Sequence, residues 1–175
     1  MGSFFVIFVH QIINQLNILY MKKILILVFT EFFLFSFSQK KMSPIAYKNS
    51  AEVFTIKGLS QSTSIDCGSS KMILLSGQVP LDAAGNLVGN DVETQTEQVF
   101  KNIENILKEY GATGKDIIKL GIFITDISKT PDFRKIRDLH INLQNPPVSS
   151  LVEVSRLFRD DVLIEVEATA VIKNK

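Results

Sequence analysis

From Val162 to Ile172 the chain alternates without a break. Val162, Ile164, Val166, Ala168, Ala170 and Ile172 fall on one side, and Leu163, Glu165, Glu167, Thr169 and Val171 on the other. A period of two is the signature of a strand with one buried face. The two carboxylates on the mixed side mark it as wet or interfacial. A strand of this length needs neighbours, so the rest of the chain must supply a sheet and a layer to cover its apolar face.

The neighbours are legible. Lys71 to Gly77 contains the run Met72-Ile73-Leu74-Leu75, which reads as a buried strand. Ile118, Leu120, Ile122 and Ile124 alternate with Lys119, Gly121, Phe123 and Thr125 as a second. Ser150 to Val154 and Glu52 to Ile56 are shorter candidates, and Gly58 to Ser64 reads as a polar loop. Asn90 to Tyr110 is the clearest helix. Asn90 is placed to cap it, Glu93 to close a capping box, and Gly111 to stop it. Val92, Val99, Ile103, Ile106, Leu107 and Tyr110 make one apolar stripe along it. Thr130-Pro131 opens a second helix with Phe133, Ile136, His140 and Leu143 inward, and Pro146-Pro147 ends it. Two helices cannot cover both faces of such a sheet. The bare, partly apolar face predicts oligomerisation.

Residues 1–38 read as a leader rather than as fold. Met21-Lys22-Lys23 is a basic start, Ile24 to Phe37 an apolar run, and Ser36-Phe37-Ser38 a small-residue cleavage site. This order predicts a secretory signal cut after Ser38, an exported and periplasmic location, and no membrane anchor after cleavage. An uncleaved anchor is the alternative, but the run is short for a span and contains Glu31. Met21 reads as the true start. Residues 39–50 read as a linker and 51–175 as the folded domain.

Nineteen basic residues face eighteen acidic ones, and setting the leader aside leaves seventeen of each. A neutral body argues against nucleic acid as a partner, because phosphate contacts need a basic face. The single cysteine, Cys67, excludes an internal disulfide. The body's single histidine, His140, excludes a zinc site with two histidines from one chain, and Cys67 with His140 is a thin basis for any other.

Five segments then resemble one family in order. Ile73-Leu-Leu-Ser-Gly-Gln-Val-Pro80 is similar to the strand-and-loop signature of the RidA/YjgF proteins, also called endoribonuclease L-PSP. Gln95 to Ile103, running on to Gly111-Ala112, resembles their first helix, and Lys119 to Asp126 their central strand. Val152 to Leu157 and Ile164 to Ala168 resemble their closing strands. The resemblance implies an α+β fold, chorismate-mutase-like, in which a mixed six-stranded sheet carries two helices on one face. It implies a homotrimer with an inner barrel and clefts between subunits. It implies hydrolysis of reactive enamines and imines to oxo acids and ammonia, without a cofactor.

The resemblance also implies a site, with one departure. Glu165 corresponds to the catalytic carboxylate that orients water, and Ser76 and Gly77 to the loop bordering the pocket. Ser60 stands near the family's pocket tyrosine. Ser149, with Leu151 two residues on, falls where deaminating members carry an arginine that grips the substrate carboxylate. Guanidinium suits that task because its planar fork matches two oxygens. Its charge-assisted bond is worth about 1.5–3 kcal/mol, so a serine there predicts about tenfold or more weaker binding of an amino-acid-derived imine. Arg134, Arg137 and Arg159 are the candidates for compensation. Three functions therefore compete: an imine deaminase of altered specificity, a non-catalytic trimer binding a small oxo-acid-like metabolite, and an RNA-cleaving protein, which the neutral charge disfavours.

Overall fold

The computed structural model describes residues 20–23 and 44–174. Residues 20–23 are helical, and the rest of the expected leader lies outside the described residues. The body contains β1 (Ile45–Lys48), β2 (Ser62–Asp66), β3 (Ser70–Gln78), α1 (Val92–Lys108), β4 (Ile117–Ile124), α2 (Thr130–His140), β5 (Val148–Glu153) and β6 (Ile164–Lys173). The strands form one mixed six-stranded sheet, as expected, and their order is β1-β2-β3-β6-β4-β5. Every pairing is antiparallel except β4 with β5.

The alternation of β6 is realised. Ile164, Val166, Ala168 and Ala170 are buried with Ile73, Leu75, Leu120, Ile122 and Ile124 from its neighbours. α1 lies over this face and drives Val99, Phe100, Ile103, Ile106 and Leu107 into it. Each such side chain contributes about 1.5–3 kcal/mol of burial. α2 packs on α1 through the stacked rings of Phe133 and Phe100. The other sheet face has no helix over it, and Leu74 and Ile118 are exposed.

The ends of α1 follow from short side chains. Asp91, not Asn90, is the cap: its carboxylate accepts from the Thr94 backbone N–H at 2.9 Å and from the Thr94 hydroxyl at 2.7 Å. Thr94 thus takes the position expected of Glu93, because its hydroxyl answers the same carboxylate. Gly111, at φ 70°, turns the chain and lets the Ala112 N–H reach the Leu107 carbonyl. α2 stops at His140 because Ile141 extends into the core and Asn142 accepts from the Gln144 and Asn145 N–H groups. Leu143, expected on the inner face of this helix, lies beyond it and is exposed.

Three expectations fail at the amino-terminal edge. Residues 45–48, inside the stretch read as a linker, form β1. The stretch Glu52 to Ile56, expected as a strand, is turn and coil. The stretch Gly58 to Ser64, expected as loop, runs into β2. The cause is the buried Gln61, whose amide does the work of a strand partner. Its oxygen accepts from the Ser50 N–H, and its nitrogen donates to the carbonyls of Ser50 and Val53 and to the Thr55 hydroxyl. β2 is polar yet buried because its hydroxyls are matched: Ser62 donates to the Lys48 carbonyl and meets the Tyr110 hydroxyl at 2.9 Å.

Candidate functional site

The register of β3 against β6 slips by one residue between Leu75 and Gln78. Leu75 pairs with Ala168 and Gln78 with Val166, so Ser76 and Gly77 form a bulge. A bulge frees backbone from its ladder and re-aims side chains, and such kinks concentrate beside functional sites. Here the Ser76 N–H donates to the Gln61 carbonyl and its hydroxyl to the Ser60 carbonyl, at 3.0 and 2.7 Å. The Gln78 amide turns back to the Ser76 carbonyl at 2.9 Å. Ser60, Ser76 and Gly77 are thereby brought together, as the sequence implied.

Glu165 joins them. A Cβ added at Gly77 would stand 1.8 Å from Glu165 Oε1, so the carboxylate occupies the space that a side chain at 77 would fill. The same device recurs one row along. Gly121 of β4 pairs with Glu167, and a Cβ there would meet Glu167 Oε2 at 3.2 Å. Both carboxylates lie on the sheet face that no helix covers. Gly77→Ala is therefore expected to fold, since the Glu165 side chain is flexible. It should displace the carboxylate and lose at least about tenfold of any activity that depends on it. Full activity in the alanine variant would show that the close approach has no role.

Burial pushes the Glu165 carboxyl above its ordinary value, and the Glu167 charge pushes it further. Burial is the larger cause. The folded chain holds this proton more tightly than the unfolded chain. Its contribution to stability is therefore lost as pH rises from the ordinary carboxylate range through the raised value. Glu167→Gln should move the Glu165 titration part of the way back down, with burial keeping the remainder. An NMR titration of the Glu165 carboxyl with an unchanged midpoint in the variant would refute this.

Beside the bulge is a small recess of about 70 Å³, bordered by Ser60, Gln61, Ser76, Gly77 and the apolar side chains of Val53, Phe54, Ile56, Leu59, Val79 and Leu81. Small-molecule pockets run to about 300–1,000 Å³, so one chain does not enclose a ligand here. Asn102, buried in α1, fixes its floor by donating to the Val79 and Leu81 carbonyls. Gln61 and Asn102 were missed by the sequence reading. Asn102 had a signal, a polar residue beside the apolar stripe of a helix. Gln61, in a polar loop, had none.

Ser149 and Leu151 are not part of this group. Their strand, β5, lies three steps from β3 across the sheet, about 14 Å at the usual spacing. Ser149 pairs with Leu120 and so projects to the helix side, opposite to Glu165. Leu151 packs at the margin of the core. Two arginines considered as substitutes are engaged within the chain: Arg159 forks onto Asp161 at 2.8 and 2.5 Å, and Arg137 onto Asp138. Glu153 accepts from the Ile127 N–H at 2.7 Å. His140, expected as a packing residue, stacks on Phe100 and is bracketed by Glu104 and Glu97. Cys67 is exposed in the β2–β3 turn. Among the described residues no group of three or more His, Cys, Asp or Glu is placed to hold a metal. No described helix is long and apolar enough to cross a membrane.

A bulged strand holding a carboxylate against glycine on the uncovered side of a mixed, helix-backed sheet defines a recognised class of small α+β proteins. The family model described as endoribonuclease L-PSP matches residues 52–172. The chain belongs to this family, the RidA/YjgF proteins. A RutC family protein of Pyrococcus abyssi is 39% identical over 101 residues, covering 56% of this chain and 76% of its own length. A Salmonella typhimurium protein named 2-iminobutanoate/2-iminopropanoate deaminase is 35% identical over 109 residues, covering 61% and 83%. Among solved structures, a Rid family protein of Yersinia pestis superposes with a TM-score of 0.66 at 32% identity, covering 73% of this chain and 99% of its own.

Proposed function

We propose that the chain is an imine or enamine hydrolase of altered specificity, working at clefts completed by neighbouring copies in a homotrimer with an inner sheet barrel. The observation that carries this reading is Glu165, a half-buried carboxylate held against Gly77, a bulge residue that also borders an apolar recess. The family and the name of the Salmonella relative support it. The recess is too small alone, and the uncovered sheet face offers the surface on which another copy would close it. Ser149 and Leu151 would then reach the site from a neighbour, since they lie away from it within one chain. The 21–38 segment is the reason to place the mature chain outside the cytoplasm, in the periplasm.

The chemistry needs only water and a carboxylate. The substrate carbon is electrophilic when its nitrogen is protonated. Ionised Glu165 takes a proton from water as the oxygen bonds to that carbon, giving a carbinolamine. Glu165 returns the proton to nitrogen, the C–N bond breaks to release ammonia, and the hydroxyl proton passes to that ammonia as the carbonyl forms. The sum is iminium plus water to carbonyl plus ammonium. A carboxylate with a raised pKa is suited to this double duty, because it takes a proton from water more readily than it would at its ordinary value and still carries that proton for the return step.

A second reading, ligand binding without turnover, is favoured by Ser149 at the position of the gripping arginine. The deciding experiment follows formation of 2-oxo acid from 2-iminobutanoate and related imines, generated in situ, with and without the protein. Ser149→Arg is run alongside, and light scattering gives the mass in solution. Acceleration by the native chain supports the hydrolase. Gain only in Ser149→Arg identifies a scaffold tuned to another ligand. Inactivity of both favours the binding protein, and a monomeric mass overturns the shared cleft.

A further inference from the structure

No charged side chain lines the recess itself, and the charge at its border is the Glu165 carboxylate against Gly77. Glu165 and Glu167 stand on the open face within one strand turn of each other, and neither forms an ion pair or a side-chain hydrogen bond among the described residues. No cationic side chain borders the recess; its walls are Val53, Phe54, Ile56, Leu59, Val79 and Leu81, with hydroxyl and amide groups at the bulge. Lys119 lies on that face and lines a separate hollow together with Glu167, Gly121 and Thr169. Arg159 and Arg137 are already spent on Asp161 and Asp138.

We infer that the substrates are imines without a carboxylate, bound as iminium cations with a short apolar substituent in the recess. This rests on the hydrolase reading above and narrows it. A protonated imine carries positive charge and N–H donors, complementary to the unpaired carboxylate. A carboxylate on the adjacent carbon would add a third anion beside Glu165 and Glu167, and no guanidinium or ammonium borders the recess to meet it. Opposite charges attract strongly in a half-buried site, and like charges are excluded from it by the same field. The apolar walls match an alkyl group, not an oxo-acid terminus.

The test uses the full chain and two imines made in situ. Propan-1-imine comes from propylamine with a flavin amine oxidase, and 2-iminobutanoate from 2-aminobutanoate with a flavin amino-acid oxidase. Carbonyl formation is followed above the spontaneous rate. The expected result is a kcat/KM for propan-1-imine higher by about tenfold or more, the scale of one unmet charge-assisted contact. Glu167→Gln should narrow that ratio, because it removes one of the two repelling charges without removing the base. Equal or greater acceleration of 2-iminobutanoate overturns the inference and leaves imine hydrolysis standing. Acceleration of neither imine overturns the hydrolase reading and this inference with it. A ratio unchanged in Glu167→Gln overturns the electrostatic basis.

Discussion

Glu165→Gln is expected to lower kcat/KM for imine hydrolysis by about 10²-fold or more, the usual loss when a positioned acid–base group is removed. The amide keeps the shape and fits the space above Gly77, so misplacement is not the cause of the loss. Glutamine cannot take a proton from water or hand one to nitrogen. Stability should move the other way. The wild-type carboxylate is half-buried beside Glu167 and has no ion-pair partner, so at neutral pH its charge weakens the fold. The neutral variant should unfold at equal or higher denaturant concentration. Steady-state kinetics and urea unfolding on one preparation check both halves. Activity within about threefold of wild type would remove Glu165 from the chemistry.

Phe100→Ala is expected to cost about 3–5 kcal/mol of stability, the range for a fully buried aromatic. Phe100 is fully enclosed. Its ring lies 6.5 Å from that of Phe133 and 5.0 Å from that of His140, centroid to centroid, so it forms most of the seam between α1 and α2. The cavity would loosen His140 from Glu97 and Glu104 as well, so the loss should fall in the upper half of that range. Urea unfolding with an unchanged slope and a lowered midpoint is the expected result. A loss under about 1 kcal/mol would mean that the helix layer collapses onto the sheet without this ring.

What the sequence made legible was governed by periodicity. α1, β4 and β6 announce themselves because one face of each is apolar, and their boundaries fall within a few residues of those expected. β1 and β2 do not, because the chain buries Ser62 and Ser64 and satisfies them through hydroxyl and amide bonds made across the sequence. Gln61 works in the same way, at distances of up to 11 positions along the chain. At the site, Glu165, Ser76, Gly77 and Ser60 were legible through resemblance. Their physical connection was not, because a one-residue bulge leaves no mark in composition. The separation of Ser149 from Glu165 was equally hidden: it follows from strand order, which places β6 and β4 between β3 and β5.

That strand order also governs how the chain is made. β6 is the last element in sequence, yet it sits in the middle of the sheet, clasped by β3 on one side and β4 on the other. Until its residues are present, those two strands have no common partner and the core cannot close. Synthesis from the amino terminus therefore keeps the sheet open until β6 has been made. Long-range pairing of this kind makes folding a late, concerted event rather than a progressive one. Loss of β6 would leave two half-sheets with unpaired edges, prone to join with other chains.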